Sequence, residues 1–282
     1  MAASATTEPR RRSLEELMAE AERLGRRENS RNLGLAAALL VVVAFTWNRT
    51  GFDLGALIQN SHYVLRVLSG FTHPDFGALV DPILLKTLET IYIAVLGTVL
   101  GALIAIPISF LAAGNLMRRN ALGTAIYFAV RMALSIVRSV PTLVWAIIYV
   151  VAIGIGPFPG VLAVTTFSVG LIAKLFSEAI EAVDWGQVDA LTATGANPLQ
   201  VVLHGVVPQV TPYMVAHVIY TFEVNIHSST YLGFVGAGGL GLILQQYVGL
   251  FLYPDLAMWL IVVIIMTSTI DYSSAAIRRR II

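Results

Sequence analysis

Few charged residues stand inside the apolar stretches of this chain, and those few are where chemistry could reside. Glu223 and His227 are four apart, which places them on one face of a helix. A charged side chain at the centre of an apolar span costs about 2.5–3.5 kcal/mol on insertion scales, so it marks either a functional site or a structural pair. A bare carboxylate would repel a passing anion, so Glu223 requires a cationic partner, and Arg131 and Arg138 are the candidates. Asn225 lies between Glu223 and His227, and Ser228, Ser229 and Thr230 follow. No other apolar stretch carries so many polar groups at one depth. Glu223, Asn225, His227 and Ser228, joined by Arg138, therefore form the candidate lining of a solute path. Such a path needs weak hydrogen bonds and a modest positive potential, because a deep well would trap the solute. His227 supplies that potential when protonated.

Other charged positions read as structural. Lys174 and Glu178, four apart near the end of an apolar stretch, make a helical pair in which the lysine can snorkel. Lys86 and Glu89 stand at the mouth of another stretch. Gly236-Ala237-Gly238-Gly239-Leu240-Gly241 fits GxGxxG literally, but dinucleotide binding needs a strand before it, and this chain reads as all-helical. Gly236, Gly238 and Gly239 instead mark an outer loop where backbones approach closely or amides face an anion. The chain has only two lysines, Lys86 and Lys174, and neither follows a glycine, so it holds no Walker A motif. If ATP drives this protein, another chain hydrolyses it. With no cysteine, no metal-ligand spacing among five histidines and no nucleophile–base arrangement, neither a metal site nor a catalytic residue is expected.

The elements that position these residues are membrane spans. The chain has 282 residues, 57% hydrophobic and 12% charged, with mean hydropathy +0.77. Soluble domains carry about 25% charged residues, so this is an integral membrane protein. Its net charge of +1 suggests no nucleic-acid partner. Residues 1–32 hold seven arginines and six glutamates, and no secretory signal is read there. Ser13 and Glu16 form a capping box before Leu14, Leu17, Met18, Ala21 and Leu24, which share the face of an amphipathic helix at the cytoplasmic surface. Spans are expected over 33–47, 85–113, 142–153, 161–180, 209–230 and 256–277, with a tilted lead-in helix to about Arg138 before the third. The domains are then 1–32, a first span with its outer loop over 33–84, and a core over 85–282. Gly97 and Gly101 form a GxxxG step, Pro107 introduces a kink, and Gly154–Gly160 is a tight outer turn. Arginines at 10–31, 118–119 and 278–280 put both termini, and a loop over 181–208, on the cytoplasmic side.

That loop is the longest interruption in the second half. Asn197 caps a short helix with Pro198 first and Gln200 third, a capping box, and Gly195 upstream is the left-handed stop of the preceding helix. Pro208 is expected to end the second helix, with Leu199, Val202, Leu203 and Val206 on one face for a partner's groove. Asp189-Ala190-Leu191, Gly195 and Pro208 resemble the "EAA" coupling loop of ATP-binding-cassette importer permeases. Asp189 and Leu191 stand where that family usually has Glu and Ala.

Further segments are similar to the phosphonate-type branch: His73-Pro74-Asp75-Phe76, Glu89-Thr90, Gly97-Thr98, Arg138-Ser139-Val140-Pro141, Lys174-Leu175-Phe176, Glu223-Val224-Asn225-Ile226 and Leu232–Gly239. Thr142 and His227 depart from that branch, which tends to have an acid and an arginine there. The resemblance covers residues 70–282. It implies the six-helix, all-α permease fold of type I (MetI-like) importers, in a bacterial cytoplasmic membrane. A homodimer would form the path, with two ATPase subunits holding ATP and magnesium, and a solute-binding protein outside. Asp189, Ala190, Gly195, Asn197, Pro198, Leu199, Val202, Leu203 and Pro208 would dock the ATPase. The cargo would be a phosphonate, phosphite or phosphate-like oxyanion, or alternatively an amino acid such as methionine. A secondary transporter would show an inverted repeat, and an intramembrane enzyme a clustered acid, base or metal set; neither is seen.

Overall fold

The computed structural model describes residues 14–281, and every element assigned in that range is helical. The capping box at Ser13 and the apolar face of Leu14–Leu24 fall outside the residues whose side chains are described. Contacts divide the chain into two units, Met1–Val64 and Leu65–Ile282. In the first, α1 (Leu14–Thr50) runs unbroken through both the polar segment and the first apolar run, so the expected surface helix and first span are one element. A short α2 (Leu54–Gln59) follows, capped by Asp53, whose carboxylate accepts from the Gly55 amide at 2.7 Å. α3 (Ser61–Phe71) crosses the unit boundary. The second unit thus begins within α3. Gly70 packs on Tyr253, where a Cβ would collide, and the Asp75 amide donates to the Pro254 carbonyl at 3.2 Å.

The second unit is built on α4 (Leu84–Leu111) and α8 (Pro157–Glu181), which run parallel, with α5 (Gly114–Met117), α6 (Ala121–Ser139) and α7 (Thr142–Ile153) between them in sequence. A Cβ on Gly97 would strike the Val164 side chain, and one on Gly101 would strike Ser168. The GxxxG step therefore lets α4 and α8 approach closely, the way helices associate where no hydrophobic gain separates protein from lipid. Pro107 lies inside α4 without ending it.

α6 and α7 correct the expected third span. Twelve residues of α7 rise only about 18 Å, against a hydrocarbon core of about 30 Å. α6 alone is long and apolar enough to cross, and its C-terminal part lies within the bundle: Gly170, midway along α8, packs against Val137 and the Arg138 backbone. The two helices are one crossing, broken where Pro141 forces Val140 to ψ 119°. Pro141 has no N–H for the Val137 carbonyl, and the Trp145 indole N–H donates to that carbonyl instead at 3.3 Å. The outer turn is also shorter than expected: Gly154 and Gly156 turn at positive φ, and Pro157 already starts α8.

After α8 come α9 (Trp185–Ala193), α10 (Pro198–Val201), a π-turn over Val202–Val206 and α11 (Val207–Leu232). Pro208 sits in the first turn of α11 and does not end the preceding helix. The π-turn explains why: the Val207 amide bonds back to the Val202 carbonyl, so the helix is re-registered just ahead of a proline that cannot donate. α12 (Leu240–Gly249) and α13 (Tyr253–Ile281) complete the fold. Six segments among the described residues are long and apolar enough to cross a membrane.

Candidate functional site: a coupling turn and a polar span

The turn after α9 is built as its residue types require. Gly195 has φ +82° and its amide donates to the Thr192 carbonyl, closing α9 in a left-handed stop. The Asn197 side chain accepts from the Gln200 amide at 2.9 Å, and the Gln200 side chain accepts from the Asn197 amide at 3.0 Å, so both halves of the capping box exist. Asp184 caps α9 through the Gly186 amide at 2.9 Å, and the Asp184 amide donates to Gln209 Oε1 at 3.1 Å, which ties the loop shut. The expected docking face is divided. Val206 is buried with Val188, Val201 and Val210, whereas Leu199 and Leu203 stay exposed beside half-buried Val202. The π-turn causes the division, because it shifts residues after 202 off the 3.6-residue repeat. Asp189 and Ala190 on α9, and Asn197, Pro198 and Pro208, are all exposed.

The polar residues of α11 point in different directions. Asn225 is fully buried and donates to Thr98 Oγ1 at 2.8 Å and Ser168 Oγ at 2.7 Å, which joins α4, α8 and α11 at one depth. Its Oδ1 has no hydrogen-bond partner among the described residues. Ser228 is buried and accepts from the Tyr231 hydroxyl at 3.3 Å. Glu223 and His227 turn instead to α13. Glu223 Oε2 accepts from Arg278 Nη1 at 2.6 Å, and His227 Nε2 lies 3.3 Å from Asp271 Oδ1. The cation that Glu223 requires is therefore Arg278, not Arg131 or Arg138. Arg131 donates to Glu181 Oε2 at 3.2 Å and to the Tyr127 hydroxyl at 2.6 Å, and Glu181 also accepts from the Gly114 amide at 2.7 Å. That network fastens α5 and α6 to the end of α8. Its members lie 50 and 67 positions apart in sequence, so no local spacing signals it.

In the glycine loop, Gly236, Gly238 and Gly239 all have positive φ. The Gly239 amide donates to Glu89 Oε1 at 3.0 Å and the Leu240 amide to Thr90 Oγ1 at 2.8 Å. The anion on the Gly239 amide is the protein's own Glu89, which Lys86 neutralises at 2.5 Å. A Cβ on Gly238 would meet both Glu89 and the Pro157 backbone, so the loop serves close packing. Lys174 and Glu178 pair at 3.4 Å, as their spacing indicates. No group of three metal-ligating side chains occurs among the described residues.

Six long apolar segments among the described residues, with an exposed, capped helical turn after α9, make this a polytopic membrane protein. The chain belongs to the family of binding-protein-dependent transport system inner membrane components, whose model matches residues 105–282. It is 35% identical over 253 residues to the phosphite transport system permease protein PtxC of Stutzerimonas stutzeri, covering 88% of this chain and 89% of that one. It is 36% identical over 226 residues to the phosphate-import permease protein PhnE of Mycolicibacterium smegmatis, covering 79% of this chain and 41% of that one. Among solved structures, an inward-facing MetNI methionine ABC transporter chain superposes with TM-score 0.62 at 25% identity, covering 73% of this chain and 98% of that chain.

Proposed function

We propose that this protein is the membrane-spanning subunit of an ATP-driven importer of phosphite, phosphonate or phosphate-like oxyanions. The observation that carries the reading is the likeness to a phosphite permease along nearly the whole of both chains. A methionine cargo has less support, since a methionine-system permease protein of Vibrio cholerae matches at 29% identity over 71% of this chain. ATP and magnesium would be held by two separate ATPase subunits, and a solute-binding protein would deliver cargo from outside. Two copies of this chain would enclose the path, with Glu223, Asn225, His227, Ser228 and Arg138 contributing to it. Asp189, Ala190, Gly195, Asn197, Pro198, Leu199, Val202, Leu203 and Pro208 would form the docking segment for the ATPase. Exposed Leu199 and Leu203 on a capped turn support that assignment, because apolar groups held out from a rigid turn suit a partner's groove. Both termini and the 181–208 loop would face the cytoplasm, in keeping with the arginine distribution.

The test is reconstitution of this chain with its ATPase and binding protein in proteoliposomes. ATP-dependent accumulation of labelled phosphite or phosphate is expected. Accumulation of methionine with no oxyanion uptake would overturn the cargo, and a complex that assembles as two different permease chains would overturn the homodimer.

A further inference from the structure

α6 and α8 diverge around a recess of about 260 Å³, lined on its polar side by Arg131, Ser135, Arg138, Lys174, Ser177 and Glu178. Three cations face one carboxylate there. Arg131 is held by Glu181 and Tyr127, and Lys174 by Glu178. Arg138 differs: its guanidinium has no hydrogen bond or ion pair among the described residues, although its backbone packs on Gly170, halfway along a membrane-crossing helix. An unpaired guanidinium at that depth is costly unless it faces water or an anion. Arg131, Ser135 and Arg138, spaced four and three apart, form one strip of α6 beside the exposed Phe128, Met132 and Ile136; Arg131 is half-buried, and Ser135 and Arg138 are exposed.

We propose that this recess is an internal binding site for a tetrahedral oxyanion, with Arg138 as its main ligand-binding group and Lys174 as its second charge. The proposal rests on the importer reading for its biological meaning, but not for its chemistry. A guanidinium presents donors in a planar fork that matches two oxygens of a phosphoryl or phosphite group, and a lysine adds a movable point charge. Ser135 and Ser177 now donate to the carbonyls one turn back, at 2.8 Å each, and a side-chain rotation redirects either hydroxyl to the anion. Glu178 keeps the site from holding its ligand too firmly, because it competes for Lys174 and repels the anion. A transit site requires such weak, partly opposed binding. The recess extends from mid-bundle towards the Glu181 end of α8, so it would be the last site before release, below the Asn225 layer.

The same chemistry could be offered by a free oxyanion or by a lipid headgroup phosphate, and one experiment separates them. The full-length chain is placed in nanodiscs of phosphatidylcholine and titrated with inorganic phosphate, followed by phosphorus NMR line broadening. Saturable binding in the millimolar range is expected, weakened about tenfold or more by Arg138→Gln, partly restored by Arg138→Lys, and unchanged by the exposed charge control Arg280→Gln. Repeating the titration in phosphatidylglycerol discs identifies the source. Unaltered binding assigns a free anion, and suppressed binding that depends on Arg138 assigns a lipid phosphate. Binding that is absent, or equal in wild type and Arg138→Gln, overturns the site. Proteoliposome uptake then keeps the two readings apart. Oxyanion uptake unaffected by Arg138→Gln sinks the site and leaves the importer standing. A wild type that binds phosphate through Arg138 yet imports no oxyanion retains the site and sinks the importer.

Discussion

At the scale of single residues, the ion pairs across α11 and α13 carry different weights. Glu223 and Arg278 are mostly shielded, with side-chain exposures of 20% and 27%, and meet at 2.6 Å. His227 and Asp271 are about half exposed at 3.3 Å, and exposed pairs contribute little. Removing one partner of the first pair strands a charge in an apolar setting. Glu223→Gln should therefore destabilise the protein by about 1–2 kcal/mol, discounted from the fully buried case for residual exposure. Replacing both partners should cost less than the sum of the single changes, and thermal unfolding in detergent reads this as a double-mutant cycle. Strictly additive losses would show that the pair does not interact in the native state. The acid at 223 and its need for a cation were legible in the sequence. The identity of the cation was not, because Arg278 lies 55 positions away and only the antiparallel packing of two long helices brings it near. Gly195 is the opposite case. Its φ of +82° is implied by its place between a helix and a capped turn, and open space surrounds the missing Cβ. Gly195→Val would incur only backbone strain, about 1–2 kcal/mol. Expression and insertion should persist while uptake and transport-stimulated ATP hydrolysis fall together; normal transport in this variant would remove the coupling role.

At the scale of elements, the bundle depends on small residues where it is tight and on re-routed hydrogen bonds where prolines interrupt it. Gly101→Leu places a branched side chain where a Cβ alone already collides with Ser168, so α4 and α8 must separate. Overpacking of this kind costs about 1–3 kcal/mol and should appear as a lower melting temperature. An equal change at Gly34, which has nothing within 4 Å, should leave melting unchanged. GxxxG spacing announces such contacts because it places both glycines on one helical face. Proline breaks are announced less completely. Pro141 signals a break, but the rescue of the Val137 carbonyl by Trp145 depends on the geometry after the break. Pro208 reads locally as a helix terminus, and a π-turn four residues earlier makes it a helix start instead. That same turn separates Leu199 and Leu203 from Val206. Leu203→Glu should then reduce stimulated ATP hydrolysis several-fold without changing melting, whereas Val206→Glu should unfold the loop. Equal melting losses in both variants would mean that Leu203 is packed rather than free to dock.

At the scale of the whole molecule, the direction of insertion decides which face can meet an ATPase. Gly195 and α9 lie at the Glu181 end of α8, and the Gly236 loop and α12 lie at its Pro157 end. The Gly156 amide donates to the Gly236 carbonyl at 2.9 Å, which fixes the second group to the opposite face of the bundle. Arginines at 118–119 and 278–280 belong to segments that end near the first face, and lysine and arginine are retained on the cytoplasmic side during insertion. The 181–208 loop should therefore be cytoplasmic and residue 245 external. The chain has no cysteine, so single introduced thiols report without background. Ala193→Cys and Gln245→Cys both alter exposed positions. In intact cells, a membrane-impermeant maleimide should modify Cys at 245 at once and Cys at 193 only after permeabilisation. Reactivity at 193 in sealed cells would invert the molecule. The capped turn with Leu199 and Leu203 would then face away from any cytoplasmic ATPase, and the coupling assignment would fall together with the direction of transport.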